Sequence, residues 1–145
     1  MADNLLEKLR ADINAARRDR DKFLTLVLTT TLSEAKNRGI ELRRELTDED
    51  VRDVIGRAIK KRREAAEQIR AAGREELAVK EEQEAELLQT YMPAQLSEAQ
   101  VREYVRAAVA SGATTVGAVM SAVMPQVKGR FDGKETNRIV REELA

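Results

Sequence analysis

The 145 residues carry 26 basic and 26 acidic side chains, a formal net charge of zero, and neither cysteine nor histidine. That length supports one good core or two small helical units, and the zero balance leaves no global field to draw in nucleic acid or membrane, so any electrostatic site is local. Without thiols or imidazoles, disulfides, Cys or His metal sites and imidazole- or thiolate-based triads are excluded. Charged residues make up 36% and aromatics 3%, the balance of helices laced with ion pairs rather than of β-sandwiches.

The opening "MADNLLEKLRADINAA" is interrupted by charge every few residues, which is the pattern of neither a signal peptide nor a membrane span; a cytosolic location is expected. Apolar residues recur at helical spacing nearly throughout, with no sustained period-two stretch. A first helix is expected from about Asn4 to Arg20, burying Leu5, Leu9 and Ile13. The second buries Leu24, Val27, Leu28, Thr31, Leu32 and Ala35, with Gly39 as its stop. Thr47 and Asp50 form a capping box for the third, with Leu46 stapled to Val51. Its buried face is Val51, Val54, Ile55, Ala58, Ile59, Ala66 and Ile69, and Gly73 ends it. The fourth helix covers roughly Glu75 to Thr90, with a Glu76–Lys80 pair at i,i+4.

Pro93 then disfavours helix at Met92, and a second capping box follows at Ser97 and Gln100, stapled by Leu96 and Val101. The chain therefore reads as two helical units, residues 1–92 and 93–145. In the second unit one helix carries Val101, Tyr104, Val105, Ala108 and Val109, and the next Val116, Val119, Met120, Val123 and Met124. Pro125 leaves two ends open for that helix: a stop at Met124 or a kinked continuation to Lys128. The last helix starts near Asp132 and buries Thr136, Ile139, Val140 and Leu144.

The turn "VKGRFDGK" before that helix invites comparison with a P-loop. Only three residues separate Gly129 from Gly133, Glu135 follows Lys134, and the preceding segment is helical, so the nucleotide-binding pattern fails. The structural reading gives Gly129 a left-handed cap, makes Asp132 the N-cap with Glu135 answering at N3, and leaves Gly133 as slack. On a helix, Lys134, Arg138 and Arg141 share a stripe opposite the apolar face, and Lys128 and Arg130 lie beside its start. The five form either a phosphate-backbone site or a solvated face moderated by Glu135 and Glu142.

A secondary basic cluster, "KKRR" at Lys60, Lys61, Arg62 and Arg63, fans around its helix instead of forming one patch. Arg62 falls on the apolar face and needs an acidic partner on the fourth helix or a path outward, while Lys60 reaches Glu64 and Arg63 reaches Glu67. Catalysis has little to work with. Glu81, Glu82, Glu84 and Glu86 lie in a polar helix, and none of Ser33, Ser97, Ser111 and Ser121 sits in a nucleophile elbow.

"IKKRREAAEQ", "AAGREELAVKEEQEAELLQTYMPAQLSEAQ" and "VGAVMSAVMPQVKGRFDGKETNRIVREEL" closely resemble the YqeY-like family, over nearly the whole chain. The family is related to the C-terminal tail of the GatB subunit of glutamyl/aspartyl-tRNA amidotransferase. The resemblance implies an all-α fold: an N-terminal bundle of about four helices and a C-terminal three-helix unit. It also implies a non-catalytic, tRNA-binding or tRNA-associated module, or alternatively an adaptor docking on a synthetase, amidotransferase or ribosome-associated partner. Neither cofactor nor metal is expected. The label of carbon–nitrogen ligase with glutamine as amide donor belongs to the larger enzyme. Two departures stand out: Ala118 replaces a basic residue common in the family, and Phe131 replaces a small one.

Overall fold

A computed structural model describes residues 4–145, and among them there are seven helices and no strand. They are α1 (Leu5–Arg18), α2 (Lys22–Leu42), α3 (Asp48–Ala71), α4 (Glu75–Gln89), α5 (Glu98–Ala110), α6 (Val116–Val127) and α7 (Gly133–Leu144). The chain is all-α. Its internal contacts form two compact units, one ending at Met92 and one running Pro93–Ala145.

Side-chain caps start most of the helices. Asn4 accepts from the Glu7 N–H at 3.1 Å, Asp21 from Leu24 at 3.0 Å and Thr115 from Ala118 at 3.1 Å. Both expected capping boxes form, Thr47 with Asp50 and Ser97 with Gln100. Each such cap stabilises its helix by about 1 kcal/mol. Arg44 adds a fork onto Asp50, and with the Thr47 N–H it holds that carboxyl well below the usual carboxylate range. The Leu5 N–H donates to Asp48 at 2.9 Å, tying the start of α1 to that of α3.

In the first unit the faces that the periodicity marks meet around fully buried Leu9, Leu28, Ile55 and Leu88. The hydroxyl of buried Thr31 is satisfied by the Val27 carbonyl at 2.8 Å, so a polar atom in the core carries no desolvation penalty. Tyr91 donates its hydroxyl to Asp12 and lies under Lys8, whose Nζ is 5.0 Å from the ring centre. In the second unit α5, α6 and α7 close on Val101, Val105, Val119, Val123, Val127, Ile139 and Val140.

The helix ends differ from expectation in two places. The first helix stops at Arg18, because Arg20 turns left-handed (φ 56) and the Asp21 N–H returns to the Ala16 carbonyl at 2.9 Å. Gly39 does not stop α2. One glycine inside a helix costs only about 1 kcal/mol, and α2 continues to Leu42 before Arg43 adopts φ 55. Of the two ends that Pro125 left open, the continuation is the one found: Pro125 lies within α6, which runs on to Val127. Gly73, by contrast, ends α3 as expected: at φ 79 it lets the Arg74 N–H reach the Ile69 carbonyl at 3.1 Å.

Arginine has no advantage in the left-handed region, where a Cβ costs on the order of 1 kcal/mol. Arg43→Gly is therefore expected to raise unfolding stability by about 0.5–1 kcal/mol in urea titrations. A loss of stability would show that the Arg43 side chain contributes more than its backbone costs.

Candidate nucleic-acid interface

The α6–α7 connection is a type II turn. Lys128 adopts φ −57 and ψ 125, Gly129 follows at φ 74, and the Arg130 N–H closes onto the Val127 carbonyl at 2.9 Å. Gly129 thus supplies left-handed geometry, within a turn that begins at the end of α6. The segment before α5 pins this turn: the Leu96 N–H donates to the Arg130 carbonyl at 2.7 Å, and the Gln95 side chain to that of Gly129 at 3.1 Å.

Arg130 is held by the fold. Its Nε donates to the Ala94 carbonyl at 3.1 Å and its Nη1 to that of Gln126 at 3.4 Å. Phe131 is half-buried against the valine core, the place of an apolar residue before a helix cap rather than of an open stacking ring. The expected Asp132–Glu135 box is absent. Asp132 occupies the N-cap position without a side-chain cap, and Glu135 accepts from Arg138 at 2.8 Å instead. An arginine one turn on brings a full positive charge and two N–H donors to the Glu135 carboxylate, where a backbone N–H brings one donor and no net charge.

Along α7, Thr136, Ile139 and Val140 are buried while Lys134, Arg138 and Arg141 are exposed. The three cations differ in their partners. Arg138 is engaged by Glu135, by Glu142 at 2.6 Å and by Glu98 at 3.1 Å. Arg102 joins the same carboxylates, contacting Glu98 at 2.9 Å and Glu143 at 3.0 Å, and Arg106 holds Glu143 at 3.0 Å. The hydrogen bonds from these guanidiniums lower the carboxyl pKa values of Glu98, Glu142 and Glu143, and Arg138 is raised in return, first by Glu135. Most of these groups are solvent-facing, with Arg102 and Glu143 half-buried, so the network sets local charge more than stability. Among the described residues Arg141 bonds only the neutral amide of Asn137, at 2.7 Å, and keeps its charge for solvent. Lys134 has no hydrogen bond or ion pair among the described residues, and Lys128 is exposed in the turn.

At the second cluster, Arg62 finds its acidic partner on α4: Nε lies 3.4 Å from a Glu84 oxygen, and Nη1 donates to the Ala58 carbonyl at 3.2 Å. Lys60, Lys61 and Arg63 point outward. The expected i,i+4 pairs do not form here. Arg63 turns to the Gln89 side chain at 3.3 Å instead of to Glu67, and Lys60 and Glu64 stay apart. Similarly, Arg70 takes Glu75 at 2.8 Å and reaches Glu82 on α4, while Glu76 and Lys80 make no pair. Exposed i,i+4 pairs are worth about 0.3–0.5 kcal/mol, little enough for a neighbouring helix to redirect them.

The serines have structural places. Ser97 belongs to a capping box, Ser111 donates to the Ala107 carbonyl at 2.9 Å, and Ser33 and Ser121 are exposed on helices. Among the described residues there is no metal-ligating cluster of three or more side chains, and no helix is long and apolar enough to cross a membrane.

The family model described as Yqey-like protein matches residues 6–144 of this chain. A protein of Pyrenophora tritici-repentis named altered inheritance of mitochondria protein 41, mitochondrial, is 28% identical over 145 residues, covering 95% of this chain and 80% of that protein. An uncharacterized protein of Schizosaccharomyces pombe is 34% identical over 90 residues, covering 62% of this chain and 73% of its own length.

Proposed function

From the premise that this chain belongs to the Yqey-like family, we propose that it is a non-catalytic module that associates with tRNA through the phosphate backbone. The observation that carries this reading is the exposed side of α7 and its entry turn. There Lys134 and Arg141 present charge that no carboxylate in the described structure neutralises. Cations of this kind position RNA without reading bases. Arg138 serves as a shared cation, available to phosphate only in competition with Glu98, Glu135 and Glu142, and Arg130 shapes the turn. Lys60, Lys61 and Arg63 contribute less, since they fan apart around α3. Among the described residues no serine is paired with a base in a way that would support the amide-transfer label of the larger enzyme. The proposed compartment is the cytosol, and recovery of the protein in an organelle fraction would overturn that part.

Each phosphate contact contributes about 0.9 to the slope of log affinity against log salt on a duplex. Lys134→Gln with Arg141→Gln is therefore expected to weaken tRNA binding and reduce that slope by about 2. Lys60→Gln with Arg63→Gln should change it less. Unchanged affinity and slope in the α7 double variant would reduce the stripe to a solvated helix face.

A further inference from the structure

The bundle uses only one side of α2. Val27, Leu28, Thr31 and Ala35 face the core. On the other side Leu26, Thr30, Ser33, Asn37 and Ile40 follow in steps of four and three, the spacing that lines one stripe of a helix. All five are exposed, Leu26 at 61% and Ile40 at 74%. None is charged, in a chain that is 36% charged. A helix in water normally turns its charges outward; this one turns an uncharged stripe outward with a large aliphatic residue at each end. At the Leu26 end lies a recess of about 560 Å³ whose walls include Arg17, Arg20 and Lys22. Neither these three nor Arg18 makes an ion pair among the described residues; against these four cations stand the carboxylates of Asp19 and Asp21, the latter accepting the Leu24 N–H as the cap of α2, so the segment keeps a net positive charge of two.

We infer that this face docks an amphipathic partner helix, whose apolar stripe covers Leu26 to Ile40 and whose acidic end meets the Arg17–Lys22 corner. The fourteen steps of helix from Leu26 to Ile40 set the seam at about 21 Å, the scale of helix-in-groove recognition. A second copy of this chain fits poorly. Residues 34–45 hold four basic and three acidic side chains, so antiparallel pairing brings the cationic corner against a net positive end, and parallel pairing brings it against itself. RNA would use the cations but leaves the stripe from Leu26 to Ile40 without a role. The surface shares no residue with the Lys134 and Arg141 site, and its test is independent of theirs.

The probe is a fluorescent synthetic helix of about 20 residues, with leucines along one stripe and glutamates at one end, titrated with the full chain beside an isomer carrying lysines in place of the glutamates. The acidic peptide is expected to bind at least about tenfold tighter than the basic one. Leu26→Glu and Ile40→Glu should each weaken it by about tenfold with unchanged far-UV circular dichroism, as both positions are exposed. Arg17→Glu with Arg20→Glu should remove the preference for acid. Equal affinity for the two peptides, or indifference to both stripe substitutions, overturns the proposal. So does self-association abolished by Leu26→Glu, which assigns the stripe to a second copy. Tighter binding of a single-stranded RNA oligomer, insensitive to Leu26→Glu, assigns the corner to phosphate and overturns it as well.

Discussion

Ile139→Ala is expected to unfold the Pro93–Ala145 unit while the unit ending at Met92 stays folded. Ile139 is fully buried, and the core around it is made almost wholly of valines, with Leu96 at its edge. Removing its side chain beyond Cβ costs about 2–5 kcal/mol, the transfer energy of the lost methyls plus the cavity they leave. A three-helix unit of this size has a total stability of only a few kcal/mol. The first unit keeps Leu9, Leu28, Ile55 and Leu88, none of which belongs to the core that Ile139 serves. Hydrogen exchange read by mass spectrometry should lose protection in α5, α6 and α7 and retain it in α1 to α4. Loss of protection in both sets together would mean that the two fold as one body, and the division at Pro93 that we propose as thermodynamic would fail.

Much of the helical layout was legible because its causes are local. The Thr47 and Ser97 boxes lie within four residues of sequence, and the buried faces follow from a 100° period. What was misread depended on partners remote in sequence or on small energies. Gly39 looked like a stop because a glycine can leave a helix, yet nothing obliges it to. Asp132 has the right residue type for a cap, but Glu135 had a better donor in Arg138. Arg63 and Glu76 were paired along their own helices, whereas the packing of α3 on α4 decides who meets whom.

The proposed interface divides the same way. That Lys134, Arg138 and Arg141 point to water follows from helix geometry alone. That Arg138 is engaged follows first from Glu135 and Glu142 at local spacing on α7; its third partner, Glu98, lies on α5, forty residues away, where helix geometry alone does not reach. The α2 stripe had a visible sign too, the eleven uncharged residues "FLTLVLTTTLS" from Phe23 to Ser33. Periodicity assigned their core side and passed over the other, and the alternating acids of Arg17 to Lys22 masked a cluster whose Asp21 is withdrawn into a cap.

The arginine in the middle of "KKRR" gives the sharpest stability test. Arg62 and Glu84 have side chains only 13% and 15% exposed, and the Arg62 Nε has no hydrogen bond of good geometry. A guanidinium cannot shed its proton, so removing Glu84 leaves a permanent charge between α3 and α4. Glu84→Ala is expected to destabilise by about 3 kcal/mol. Glu81 is the nearest substitute: burial, then the Glu84 charge, raise its pKa, while Arg62 pulls it down. Adding Glu81→Gln blocks that rescue and should bring the loss to its full size. Replacing the pair together, Arg62→Met with Glu84→Leu, removes both desolvation penalties and should return stability to within about 1 kcal/mol of the parent or above it. Urea unfolding at neutral pH reads all three variants. If Glu84→Ala with Glu81→Gln costs less than about 1 kcal/mol, the pair behaves as a solvated surface bridge, and Arg62 belongs with the outward cations. If the cost is as expected, the first arginine of the basic run is part of the α3–α4 packing, and a signature that reads like a nucleic-acid patch has at its centre a residue that binds only its own chain.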